Sequence, residues 1–587
     1  MKIFRRIFFI FPRKQRLLFL ALFFLQLIET ALDFAGISLI LPFVQILAKG
    51  DALRQAGWFG FVARLIGSDS TQSVLLFLTF LMMGIYIVKN AYMLLLIRLR
   101  INFISKNQVK MGARMITCYM KRPYTFHLQR NTAEIVRNIN QDVSGAFSVV
   151  STIFSLISDA LIVILLVVYL VSVDLWLTLA ISAALLVCSL VYFLFVRKKL
   201  RKVGEQSRAC GMRMIKAIHQ SMGGIKEVKV MGREQFFADV YTKAGADSVR
   251  CKKTYSVVSG IPGRLIEVLC MCSVLGVVAG RIIAGNDLLA IIPTLSAFAL
   301  AAMRLMPRAN AINNCISTIT YTMPSLDALY NDLRDAEEEE AGERREIARK
   351  KAAAKAVAPE TEQDIVLRNI SYTYPNRDEP VLRDVSLCIE HGKSIGIVGV
   401  TGAGKTTLVD VILGLLKPQT GAVYYGNLDI LADYAEYQKH IGYIPQNIYL
   451  VDDTIRNNVA LGVDATAIRD EEVWRALENA QLADFVRTLK DGLDTVIGER
   501  GVRISGGQRQ RIGIARALYY DPEILFFDEA TSSLDNETEA AVMESVNALG
   551  SNKTMIIVAH RLSTIAGCDK IFKVIDGQAV ETTIEQG

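Results

Sequence analysis

Six stretches of this chain are apolar for about twenty residues each, and no water-soluble core accommodates that many unbroken apolar runs. They extend from Leu17 to about Leu47, Val74 to Ile97, Val149 to Val173, Leu175 to Val196, Leu265 to Ala284 and Leu288 to about Met306. Each is long enough to cross a bilayer as a helix, which satisfies its own backbone in lipid. All six lie in the first part of a 587-residue sequence that is too long for one ordinary domain. The mean hydropathy of +0.31 averages this part with a C-terminal part whose short strand-like and helix-like patterns alternate, as in a soluble α/β domain.

Arg5, Arg6, Arg13, Lys14 and Arg16 precede the first run, as in a signal peptide. The run is too long for a signal h-region and lacks a small-residue cleavage site, so it is retained as a spanning helix. Orientation follows from the connections: Lys and Arg crowd the N-terminus, residues 98–137, residues 197–264 and the stretch after Arg304. Residues 48–73, Asp174 and residues 285–287 are poor in them, which puts both termini in the cytoplasm. The net charge of +8 therefore reflects membrane orientation, and no nucleic-acid partner is expected. Residues 51–67, with Leu53, Trp58, Phe59, Phe61, Val62 and Leu65, suit either a short amphipathic helix on the outer membrane surface or a loop.

Nine cysteines are scattered without paired metal-ligand spacing, so neither a zinc site nor a disulfide framework is indicated. Asp335–Lys355 is rich in Ala, Glu, Lys and Arg, with Glu340/Arg344 and Glu346/Lys350 at i,i+4 spacing. It reads as a solvated helical linker ending near Pro359. The expected division is 1–333 for the membrane domain, 334–360 for the linker and 361–587 for the soluble domain.

The soluble part carries a strand, Ser394–Val398, a glycine-rich turn and the start of a helix, spaced G-x-x-x-x-G-K-T from Gly399 to Thr406. Such a turn cradles nucleotide phosphates, because its backbone N–H groups and the helix N-terminus converge on anionic oxygens. Gly399, Thr401, Gly402, Ala403, Gly404, Lys405, Thr406 and Thr407 form the cradle. Lys405 is expected on the β/γ-phosphates of ATP, and Thr406 on Mg²⁺. Ile524-Leu525-Phe526-Phe527-Asp528-Glu529 is an apolar strand ending in two carboxylates. Asp528 suits the Mg²⁺ shell and Glu529 suits orienting and polarising the attacking water.

Upstream lies Ile504-Ser505-Gly506-Gly507-Gln508, followed by Arg509-Gln510-Arg511 and an apolar helix. With the phosphate cradle and the Asp-Glu pair, this resembles the signature motif of ABC proteins. The whole chain resembles a half-transporter of the ABC exporters. That implies an all-α six-helix transmembrane domain of the type IV exporter fold fused to an α/β P-loop (RecA-like) nucleotide-binding domain. By the same resemblance Tyr374 stacks on adenine, and Gln446, in Tyr443-Ile444-Pro445-Gln446, matches the Q-loop residue of the catalytic and Mg²⁺ site. Glu499 matches the exporter X-loop, Asp535 in Ser533-Leu534-Asp535 the D-loop, and His560 the switch histidine facing the γ-phosphate. Ser505, Gly506, Gly507 and Gln508 would hold ATP from a second copy. The signature opens with Ile504 where the family usually has Leu, which keeps its apolar character.

Lys121–Phe126 with Asn131–Val136, and Ile225–Glu234, resemble the two intracellular loops of exporters, whose short helices meet the nucleotide-binding domains. One nucleotide domain per chain implies a dimer. A homodimer is expected because each chain carries a full set of motifs, with a degenerate partner as the alternative. The protein is then an ATP-hydrolysing translocase of the inner membrane with its nucleotide domain in the cytoplasm. Leu27–Ser38 and Ala297–Pro307 look like the branch that flips lipid-linked oligosaccharides, with a peptide, lipid or drug exporter as the alternative. Lys89, Arg98, Arg264, Arg304 and Arg308 lie in or beside spans, where charge is costly, and are expected to attract the anionic headgroup of such a lipid. Snorkelling, or pairing with Glu29 and Asp33 of the first span, is the competing reading.

Overall fold

The computed structural model describes residues 2–39, 43, 64, 70–171, 175–283, 288–354, 363–529, 539–542, 544, 553–559 and 565–582. The 51–67 segment apart from Arg64, together with Pro359, Asp535 and His560, lies outside them. The chain divides into two compact units, Met1–Arg122 with Gln129–Glu337, and Pro123–Leu128 with Glu338–Gly587.

The helices, in order, are α1 (Lys2–Ile10), α2 (Arg13–Ser38), α3 (Thr71–Met120), α4 (Tyr124–Gln129), α5 (Thr132–Arg137), α6 (Val143–Val171), α7 (Leu175–Gly223), α8 (Ile225–Met231), α9 (Glu234–Ile283) and α10 (Leu288–Ala354). All but α4, which falls in the second unit, belong wholly or mainly to the first. Among the described residues four stretches are long and apolar enough to cross a membrane: Arg13–Gly36, Gln72–Met120, Thr132–Val171 and Glu234–Ser273. The other two expected spans fall on α7 and α10.

Two features of this unit go beyond the sequence reading. The basic segments 98–137 and 197–264 are largely helix, because α3, α7 and α9 continue well past their apolar stretches, leaving short α4 and α8 at the turns. Residues Lys2–Ile10 form a separate helix whose Ile7 and Ile10 are buried. Phe11, just after it, packs its ring 5.7 Å from Phe103 and 5.8 Å from Phe147.

Beyond the apolar stretches, α3, α5, α7 and α10 are fastened by a buried polar network. The Tyr119 hydroxyl donates to Asp332 at 2.6 Å, and Asn138 donates to Asp332 at 2.9 Å. Asp142 is shared by Arg137 at 2.8 Å and Arg208 at 3.0 Å. Asn138–Asp142 is a π-helical turn, which brings Arg137 and Asp142 together. The linker expectation holds in its helical character: α10 continues to Ala354, with Arg344 on Glu340 at 2.5 Å.

In the second unit the strands are β1 (Ile365–Tyr372), β2 (Leu382–Ile389), β3 (Ser394–Val398), β4 (Thr420–Tyr425), β5 (Leu428–Asp429), β6 (Ile441–Ile444), β7 (Ile524–Asp528), β8 (Thr554–Val558), β9 (Lys570–Ile575) and β10 (Gln578–Thr582). Interleaved are α11 (Lys405–Ile412), α12 (Tyr434–Tyr437), α13 (Ile455–Val459), α14 (Asp470–Asn479), α15 (Ala483–Thr488) and α16 (Gly506–Tyr519). One sheet is antiparallel in the order β2-β1-β4-β5. The other, ordered β10-β9-β3-β8-β7-β6, is parallel from β9 to β6. Parallel strands are covered on both faces, which is why β3 and β7 are near-continuous apolar runs with Ile397, Leu525 and Phe526 fully buried. The carboxyl ends of β3 and β7 lie on the same edge, with β8 between them, so the glycine-rich turn and the Asp528-Glu529 pair are brought together by sheet order alone.

Candidate functional site

The turn after β3 is built around backbone that only glycine accepts. A Cβ on Gly399 would stand 2.6 Å from the Val574 carbonyl oxygen, and Gly404 opens α11 at a φ of 108°. No side chain caps α11, so the N–H groups of its first turn are left to whatever the loop encloses. Lys405 is buried, and its ammonium donates to the carbonyls of Gly399 at 2.8 Å and Val400 at 3.3 Å. The side chain is thereby folded back over the loop, where a phosphate would meet it. Thr401, Gly402 and Thr406 are exposed, Ala403 is half-buried, and Thr407 is buried with its hydroxyl 3.2 Å from that of Tyr374. Tyr374 in turn sits edge-on to Tyr372, with ring centroids 5.0 Å apart, which fixes its ring beside the loop.

The two carboxylates after β7 are held differently. Asp528 takes a long bond of 3.4 Å from the Tyr443 hydroxyl, and burial, with Glu529 beside it, pushes its carboxyl above the usual range. Glu529 has a φ of 50°, rare for a residue with a side chain, and its N–H donates to Val558 O at 3.0 Å. Its carboxylate accepts from Gln446 Nε2 at 2.6 Å. The structure therefore joins Gln446 and Glu529 directly, and places Lys405 close enough to Asp528 to favour its ionised form.

The donor set fits a nucleotide with a divalent cation: uncapped helix N–H groups and a lysine for phosphate, and a hydroxyl, a carboxylate and an amide for a hard oxygen-seeking ion. Ser505–Gln508 opens α16 with a capping box, the Ser505 hydroxyl accepting from Gln508 N at 3.2 Å and Gln508 Oε1 accepting from Ser505 N at 2.9 Å. Ser505 and Gly506 are exposed, with Gly507 and Gln508 half-buried, so this helix end faces outward.

Two residues near the site have no role in the sequence reading: Tyr443, which enters there only as a neighbour of Gln446, and Asp410. Asp410 lies one helical turn beyond Thr406 on α11, the i,i+4 spacing that could have revealed it. Burial first, and then the charge of Asp528, push its carboxyl up to about 6 from an ordinary value of 3.8. An acid raised in the folded state costs stability when charged. That cost is full above about pH 6 and disappears below about pH 4, where both folded and unfolded chains are protonated. Asp410→Asn is accordingly expected to raise the melting temperature of the nucleotide-free protein at pH 7.5, the gain shrinking as the pH falls from 6 to 4. An equal gain at pH 4 and pH 7.5 in a melting series would contradict this.

Among the basic residues expected to attract substrate, Lys89 is paired with Asp33, and Arg308 binds Asp33 at 2.9 Å and Asp159 at 2.7 Å. Arg264 is exposed on α9 and pairs with Glu267 at 3.1 Å, and Arg98 is exposed on α3. Arg304 lies on α10, its side chain outside the description. The described members of the set are thus not gathered into one cluster. Lys89 and Arg308, joined through Asp33, are the two that meet.

A family model described as "ABC transporter" matches residues 382–532, and one described as "ABC transporter transmembrane region" matches residues 19–303. The chain is 30% identical over 474 residues to an ATP-dependent lipid A-core flippase of Photobacterium profundum, covering 79% of this chain and 77% of that one. The protein of the same name from Photorhabdus laumondii subsp. laumondii is 30% identical over 481 residues, with 81% and 79% covered. That from Escherichia coli (strain K12) is 32% identical over 392 residues, with 66% and 64% covered. Among solved structures, a bacterial Atm1-family ABC exporter with ATP bound superposes with a TM-score of 0.74 over 97% of this chain and 94% of that one, at 21% identity, a likeness of fold. The chain belongs to the ABC transporters, as an ATP hydrolase coupled to transport across the inner membrane, with its nucleotide-binding domain in the cytoplasm.

Proposed function

We propose that this protein is a homodimeric flippase that moves an amphipathic anionic lipid, a lipid-linked oligosaccharide, from the cytoplasmic leaflet outward. Residues 1–333 form the membrane domain, 334–360 the linker and 361–587 the nucleotide-binding domain. The observation that carries the reading is the position of Lys89 and Arg308 on the long helices α3 and α10, against buried acids of the membrane unit, in a chain whose relatives are named lipid A-core flippases. A cation at that depth is expensive and marks a pathway for charge.

In the nucleotide domain, Lys405 and the first turn of α11 hold the β- and γ-phosphates while Tyr374 stacks on the base. Thr406, Asp528 and Gln446 hold Mg²⁺, with Thr401, Ala403 and Thr407 completing the loop. When bound, the ion would supply positive charge to offset what develops on the phosphates. Glu529 orients a water and draws its proton, Gln446 fixes the orientation of Glu529, and His560 faces the γ-phosphate. Ser505–Gln508 and Asp535 of the second copy close the site from the other side, so each hydrolysis requires two chains.

The test is transport in vesicles reconstituted with a pyrophosphate-linked lipid glycan. Replacing both Arg304 and Arg308 by Ala is expected to lower the lipid flipped per ATP hydrolysed by about tenfold, equivalent to ~1.4 kcal/mol of lost headgroup contact. An unchanged ratio shifts the assignment to a neutral or cationic cargo, such as a drug or peptide.

A further inference from the structure

Lys89 and Arg308, the two cations that meet in the membrane unit, are engaged by acids from other helices in a pattern with its own geometry. Arg308 Nη1 on α10 donates to Asp159 Oδ1 on α6 at 2.7 Å, and its Nη2 donates to Asp33 Oδ2 on α2 at 2.9 Å. Lys89 Nζ on α3 donates to the remaining oxygen of the same carboxylate, Asp33 Oδ1. Three donors thus meet three carboxylate oxygens, supplied by two helices. A diphosphate joining lipid to glycan offers two non-bridging oxygens on each phosphorus, and a guanidinium fork matches two such oxygens.

Access is unequal across the network. The Arg308 side chain is 33% exposed, whereas those of Asp33 and Asp159 are 2% and 7% exposed. The Lys89 side chain is 12% exposed, so both cations are more accessible than the acids that hold them. Glu29, one turn before Asp33, is bonded elsewhere: it accepts from Gln26 and, at 3.3 Å, from Ser158.

We propose that Asp33 and Asp159 are resident stand-ins for the phosphoryl headgroup of the cargo. They hold Lys89 and Arg308 between transport events, and the headgroup takes the two cations by displacing them. This rests on the reading of the cargo as an anionic lipid and adds to it a competition built into the chain. Burying Lys89 and Arg308 with no anion nearby would be costly, so the chain carries its own. The carboxylates then weaken headgroup affinity and provide a way to expel it, since they recapture the cations when the lipid leaves.

The consequence is opposite in sign to that of removing a binding residue: neutralising an acid tightens binding. The probe is phosphatidic acid bound to the full-length protein in mild detergent, measured by titration, with phosphatidylcholine as the control lipid. Asp159→Asn and Asp33→Asn are each expected to tighten binding of phosphatidic acid by about five- to tenfold relative to phosphatidylcholine, and Arg308→Ala to weaken it below wild type. Asp159→Glu, which restores the charge, is expected to return affinity to the wild-type value. If Asp33→Asn does not give folded protein, Asp159→Asn decides, since Arg308 then keeps Asp33. Unchanged or weaker binding in Asp159→Asn, with Arg308→Ala also weakened, overturns the stand-in role and leaves the anionic-lipid reading intact. Equal binding by wild type and Arg308→Ala, with no preference for phosphatidic acid, overturns that reading and the proposal with it.

Discussion

Glu529→Gln is expected to reduce ATP turnover at least ~100-fold while leaving ATP affinity close to wild type, the range lost when a positioned general base is removed. Glutamine keeps the length and shape of the side chain. Its amide oxygen can still accept from Gln446, which now donates to Glu529 at 2.6 Å, and the backbone bond of residue 529 to Val558 is untouched. What disappears is the negative charge that polarises water. A variant that binds but does not hydrolyse should accumulate as a closed, ATP-loaded dimer, visible as nucleotide retained through gel filtration. Turnover within tenfold of wild type would remove Glu529 from the catalytic role.

Lys405→Ala is expected to weaken ATP binding by about 100-fold, on the order of 3 kcal/mol, by removing a charge-assisted contact in a site with no second cation in the loop. In the structure this ammonium bonds the Gly399 and Val400 carbonyls, so the variant also loses two contacts that hold the loop in shape. Circular dichroism of the nucleotide-free variant separates the effects: a wild-type spectrum with lost affinity locates the defect in phosphate binding. An unchanged dissociation constant for a fluorescent ATP analogue would count against the cradle.

What the sequence made legible was whatever is encoded locally. The phosphate loop, the carboxylate pair after β7 and the Ser505–Gln508 segment that precedes a helix each depend on neighbours within a few residues, and their spacing announces them. The sheet order that unites Gly399–Thr406 with Asp528 is non-local, and no spacing in the sequence announces it. The same limit applies to the membrane half. Counting residues along a helix gives the depth of Lys89 and Arg308, but rotation about each axis and the identity of the facing helix are decided by packing. Asp33 is a partner the sequence reading weighs, whereas Asp159, 149 residues from Arg308 along the chain, meets it only through the fold. The continuations of α3, α7 and α9 beyond the membrane surface escape the sequence reading because dense charge masks their apolar stripe, which on α3 runs through the buried Phe103, Met111, Met115 and Tyr119.

Those continuations have a mechanical consequence. The part of α3 beyond Ile97, residues 98–120, is about 35 Å of uninterrupted helix at ~1.5 Å per residue. A rigid rod converts angle into displacement, so a tilt of about 10° at its membrane end moves its tip by roughly 6 Å, farther than one helical turn. Stiffness therefore stands in for contact: a small rearrangement among the spans can be felt at the far end without any chain of intermediate residues to relay it. Two adjacent glycines placed midway along 98–120 would leave the residues at both ends untouched and turn the rod into a joint, and hydrolysis should then proceed without moving cargo.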